Sequence, residues 1–135
     1  MEVFGYRKLV AYQKAKEVVK RTYKLLKKFP AEERYAMCDQ LRRASVSITS
    51  NIAEGVNRYS VKDKSHFIEM SYGSLMEVSS QMEIAEELGY ITSAERLSMD
   101  QLIEEVLGRA KRAELERRSS YPVFKRPIRA KVDSR

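Results

Sequence analysis

Apolar residues return every three or four positions along most of this chain, and glycine and proline cut the series into four segments. Leu9, Tyr12, Ala15, Val19, Tyr23 and Leu26 share one face of a helix from about Tyr6 to Phe29, with the lysines largely on the other face, and Pro30 stops it. Glu32 and Glu33 suit the first turn of a second helix, where carboxylates face the positive end of the backbone dipole. That helix turns Met37, Leu41, Ala44, Ile48 and Ile52 inward and ends at Gly55, read as a left-handed cap followed by the apolar Val56. Ser60, with Asp63 three residues on, opens a third helix carrying Phe67, Met70, Ser74, Val78, Met82 and Ala85, closed by Gly89. Thr92 with Glu95 is a second capping box, from which Met99, Ile103, Val106 and Ala110 continue a fourth helix toward Arg117. Four helices on short connections predict an all-α fold, an antiparallel up-down-up-down four-helix bundle over residues 1–118. Residues 119–135, SSYPVFKRPIRAKVDSR, hold two prolines and no period, and read as a basic, extended tail.

The second helix has an unusual mixture of residues. In QLRRASVSITSNIAEG, Gln40 to Gly55, short polar side chains (Ser45, Ser47, Thr49, Ser50 and Asn51) lie between the apolar positions. These have modest helix propensity, so the segment depends on tertiary packing, and their small size lets a neighbouring backbone come close.

Composition changes the picture mainly through charge. With 135 residues, 43% hydrophobic and 33% charged, the chain suits one globular domain. No apolar run is long enough to span a membrane and MEVFGYRKL lacks the apolar core of a signal peptide, so a cytoplasmic location without membrane partners is expected. The net charge of +7 is unevenly spread: residues 1–30 carry nine basic and two acidic side chains, residues 63–108 two and ten, and residues 109–135 ten and three. Helix 1 and the tail region are therefore basic, and helices 3 and 4 acidic. Opposite patches on one subunit favour a head-to-tail interface that closes into a ring when the rotation permits.

Catalytic chemistry finds little to work with. His66 is the only histidine and Cys38 the only cysteine, and no metal-ligand spacing, phosphate-cradling glycine loop or nucleophile motif is present, so neither an enzyme nor a cofactor is expected. Glu86/Glu87 and Glu104/Glu105 read as a solvated acidic face. Asn51 and Glu54 read as members of a structural polar network between helices or subunits. Arg42 and Arg43 are candidate phosphate contacts, but neighbouring helical positions diverge by about 100°, which pairs one with an acid and turns the other to solvent.

The order of YRKLVAYQKA, FPAEERY, QLRRASVSITSNIAEG, YGSLMEV and ELGYI resembles the four-helix-bundle family of 23S rRNA intervening-sequence proteins, over roughly Phe4 to Ala113. The resemblance implies a short antiparallel bundle assembling into a homopentameric barrel, in a family often encoded within insertions in bacterial large-subunit ribosomal RNA genes. The accessory variability proteins of diversity-generating retroelements are similar, and they bind nucleic acid and a reverse transcriptase through a basic exterior. Arg42, Arg43, Asn51 and Glu54 match the family's second-helix motif, and Thr49 stands where many relatives have proline, which removes an expected kink.

Two functions follow as expectations. In the first, the chain is a non-enzymatic oligomer that binds structured RNA or DNA mainly through phosphate, using Lys20, Lys24, Lys27, Arg42, Arg43, Arg117, Arg118, Lys125, Arg126, Arg129 and Lys131, with Tyr121 and Phe124 interleaved among the tail cations for stacking. In the second, it is a structural or adaptor oligomer whose charge asymmetry serves self-assembly and a protein partner, such as a reverse transcriptase.

Overall fold

The structure, a computed structural model, describes residues 4–119, and residues 4–110 with their side chains. Its helices are α1 (Val10–Leu26), α2 (Met37–Val56), α3 (Val61–Glu87) and α4 (Ser93–Ser119), with 3-10 turns at Gly5–Lys8 and Ala31–Glu33 and no strand among the described residues. Side-chain rungs give the helix directions. Lys14 and Arg21 of α1, and Lys28 just beyond its end, meet Glu105, Ser98 and Glu95 of α4. Gln40 and Ser47 of α2 meet Gln81 and Ser74 of α3, while Ser79 and Glu86 of α3 meet Asp100 and Arg96 of α4. Numbers rise on one helix as they fall on its neighbour, so each of these pairs is antiparallel. The four helices bury Val18, Leu41, Ile48, Ile52, Leu75, Val78, Met82, Met99 and Val106 in one core. No described helix is long and apolar enough to cross a membrane.

Local signals explain the helix ends. The Thr92 hydroxyl accepts from the Glu95 amide at 3.1 Å while the Glu95 carboxylate accepts from the Thr92 amide at 2.9 Å, a reciprocal box that satisfies two otherwise orphaned donors. At α3 the Ser60 hydroxyl accepts from the Asp63 amide at 3.0 Å. Gly89, at φ 83°, ends α3 in a Schellman motif: its amide donates to Glu86 O at 2.9 Å and that of Tyr90 to Ala85 O at 2.8 Å. Tyr90 then packs on Phe29, and its hydroxyl donates to Glu33 at 2.8 Å, a bond that raises the phenol pKa and ties the two corners together.

Four expectations need correction. Gly55 does not cap α2, which continues through it to Val56 with no positive φ. It is buried against α3, where a Cβ would lie 2.9 Å from Phe67 Cβ, so close approach is the reason for glycine there. Glu32 and Glu33 lie in the 3-10 turn rather than in α2, which begins at Met37 because the non-helical backbone at Ala36 (φ −120°, ψ −99°) interrupts the helix and Ala36 supplies no side-chain cap. The first helix starts at Val10, since Leu9 is extended, leaving Tyr6 in the preceding turn with its ring edge-on to Tyr12 at 4.8 Å.

Helix phase is the fourth. The buried stripe of α1 is Ala11, Ala15, Val18, Thr22, Leu25 and Leu26, while Tyr12 and Val19 are half-buried and Tyr23 is 43% exposed. Small residues at the centre of the stripe allow α1 to pack closely, and the larger Tyr12 and Tyr23 fall to its side. In the first half of α3, Ile68, Ser71 and Leu75 point inward in place of Phe67, Met70 and Ser74. Ser71 tolerates burial because its hydroxyl donates to Ile68 O at 2.7 Å.

Candidate nucleic-acid interface

Lys20, Lys24 and Lys27 recur at four and three positions along α1, a spacing that stacks them in one row on its outer surface. All three are exposed, and none makes an ion pair among the described residues. Several other described cations are committed differently. Lys14 pairs with Glu105 at 2.9 Å, Lys28 with Glu95 at 2.6 Å, Arg58 with Glu54 at 2.6 Å, and Arg96 with both Glu86 and Asp100. The row therefore has positive charge without local neutralisation. The aliphatic stems of such lysines lie along the helix while the ammonium heads stay in water, a form suited to phosphate rather than to base edges.

The paired arginines of α2 divide as their 100° separation implies. Arg42 donates to Asp39 Oδ1 at 3.1 Å and to Arg34 O at 3.2 Å, bracing the start of α2. The side chain of Arg43 is 83% exposed and only 3.9 Å from the same carboxylate. Both border a shallow depression across the outer face of α2, with Tyr23 of α1, Val46 of α2 and Met70 of α3 as its apolar surface. Arg117 and Arg118 fall on the last turn of α4, where side chains are not described, and Lys125, Arg126, Arg129 and Lys131 lie outside the described residues, as does the extended tail itself.

Asn51 and Glu54 have separate surroundings. Asn51 is buried, its Nδ2 donating to Ser47 O at 2.9 Å and Ser47 Oγ at 3.0 Å; Ser74 Oγ of α3 lies 2.9 Å from the same serine hydroxyl. This is a polar clasp between α2 and α3; Ser45 and Thr49 instead donate to carbonyls of α2 itself, Arg42 O at 3.1 Å and Val46 O at 2.8 Å. Glu54 instead sits on the surface with Arg58, whose guanidinium also covers the Phe67 ring at 4.6 Å. Of the acidic pairs, Glu86 and Glu105 are held by Arg96 and Lys14, so the acidic face is partly neutralised from within. Burial pushes the Cys38 thiol up, away from the reactive thiolate.

Arg21, Lys28 and Ser98 were not among the sequence candidates. Lys14, Arg21 and Lys28 recur at seven-residue intervals, which keeps them on one helical edge, and that spacing was the available signal. They line the seam with α4. At its lower end Lys28 foremost, then the Thr92 amide, holds the Glu95 carboxyl below the usual range. This corner therefore contributes stability at neutral pH that is lost as pH falls through the lowered value.

The family model for the 23S rRNA-intervening sequence protein matches residues 7–111, which takes in the helices from α1 to most of α4. No curated protein matches the chain.

Proposed function

The chain belongs to the 23S rRNA-intervening sequence protein family, and from that premise we propose that it is a non-enzymatic, cytoplasmic homo-oligomer, pentameric by family resemblance, that holds RNA or DNA mainly by phosphate. The observation that carries this reading is the row Lys20, Lys24 and Lys27, exposed and without an ion pair among the described residues. Repeating a three-cation patch around a ring multiplies weak contacts into avidity without new chemistry. Binding of a hairpin RNA by the full chain across a salt series tests it. With three phosphate contacts per subunit, log affinity should fall against log salt with a slope of about −2.7 or steeper. Affinity that does not change with salt overturns the proposal.

A second reading, an adaptor oligomer, is favoured by the exposed apolar Tyr23, Val46 and Met70 across the α2 face. Both readings need self-association, driven in part by acids that find no ion pair within the subunit. Glu83 and Glu87, exposed on α3, are two such acids among the described residues. Glu83→Lys combined with Glu87→Lys should reduce the sedimenting species to smaller assemblies while helical circular dichroism is kept. An unaltered sedimentation profile counts against assembly through this face.

A further inference from the structure

The ladder between α1 and α4 is uneven in charge. Its outer rungs are ion pairs, Lys14 with Glu105 and Lys28 with Glu95. The middle rung is Arg21 with Ser98, whose hydroxyl accepts from the guanidinium at 2.7 Å. A hydroxyl fixes the direction of that group and leaves its charge uncompensated. Directly beside it a cleft of about 590 Å³ opens between the last turns of α1 and the first turns of α4. Four cations, Arg21, Lys24, Lys27 and Lys28, face one carboxylate, Glu95, which Lys28 already holds. Between these heads the wall is apolar, made by Leu25 and Ala94.

We propose that this cleft takes the phosphorylated end of a nucleic-acid strand, with the terminal phosphate on Arg21, Lys24 and Lys27 and the adjoining base against Leu25 and Ala94; the inference rests on the nucleic-acid reading above. Charge selects the end over the backbone. A backbone phosphodiester carries one negative charge, whereas a terminal monoester approaches two at neutral pH, its second pKa lying near ~6. Three cations that line one cleft and make no ion pair match the dianion better than the single charge of a diester. The fixed guanidinium presents its remaining N–H groups in a rigid fork suited to phosphate oxygens. The volume lies within the range of small-ligand sites, ~300–1,000 Å³, and Leu25 and Ala94 between the charged heads leave an apolar surface for a base.

The test is fluorescence anisotropy with one short single-stranded RNA sequence in three forms: 5′-phosphorylated, 3′-phosphorylated and hydroxyl at both ends. At least one phosphorylated form should bind about tenfold more tightly than the hydroxyl form, and adenosine monophosphate should compete where adenosine does not. Ser98→Glu, which completes the middle rung as an ion pair, should erase the difference between the forms; Arg21→Gln should do the same by removing the guanidinium. Equal binding of all three forms by the unaltered protein, with a steep salt slope, overturns the cleft proposal and leaves the phosphate reading standing. Absence of salt-dependent binding to any form overturns both.

Discussion

Replacing Lys20, Lys24 and Lys27 together by glutamine is expected to weaken binding to a duplex-containing RNA about 100-fold at ~0.15 M salt and to reduce the salt slope by about 2.7. The estimate follows from counterion release: each phosphate contact adds about 0.9 to the slope, so three account for roughly two decades of affinity at that ionic strength. The substitutions should leave the fold intact, because all three side chains are exposed and make no ion pair among the described residues. Surface changes away from buried or paired groups usually move stability by no more than about 0.5 kcal/mol. Arg96→Gln supplies the contrast. Its guanidinium already serves Glu86 and Asp100, so its loss should lower stability while the salt slope is retained. A triple variant with an unchanged affinity and slope would move the interface elsewhere, and Arg43 with the tail cations would be the next place to look.

Much of this architecture could be read from periodicity, because four apolar series are long enough to establish their helices and Thr92, Ser60 and Gly89 supply chemically specific ends. What escaped the sequence was tertiary in origin. Tyr23 counts as apolar by type but lies outside, and Thr22, Ser45 and Ser71 count as polar but lie inside. Such exchanges shift the apparent phase of a stripe by one residue, as happened in α1 and in the first half of α3. They become explicable only when the approach of neighbouring helices is known. The candidate interface was legible in the same measure: the lysine row appears from spacing alone, and the divergence of Arg42 and Arg43 follows from helical geometry. Whether a cation is neutralised depends on its partner's place on another helix. Arg21 shows this best, for nothing in its local sequence says that Ser98 rather than an acid stands opposite.

Gly55→Val is expected to cost about 3 kcal/mol of stability, seen as a lower denaturation midpoint with an unchanged slope against urea. Glycine inside a helix normally weakens it by about 1 kcal/mol relative to alanine, so local propensity alone would make almost any replacement favourable. Packing reverses the sign. A Cβ at position 55 would stand 2.9 Å from Phe67 Cβ and 3.5 Å from the carbonyl of Lys64. Neither is the free end of a flexible side chain: one is anchored to the α3 backbone and the other belongs to it. Relief therefore requires α3 to move away from α2 at the corner where the buried Lys64 ammonium donates to Arg58 O and the Arg58 guanidinium covers the Phe67 ring. These contacts share residues, so a shift that spares one disturbs the others. Gly73→Ala is the matched control, since a Cβ there meets nothing within 4 Å and the position lies exposed within α3. It should stabilise the protein by about 0.5–1 kcal/mol through reduced chain entropy in the unfolded state. Opposite signs for the two glycines would establish that the closeness of α2 and α3, and not helix propensity, governs position 55; a stabilised Gly55→Val protein would refute the packing described for this corner.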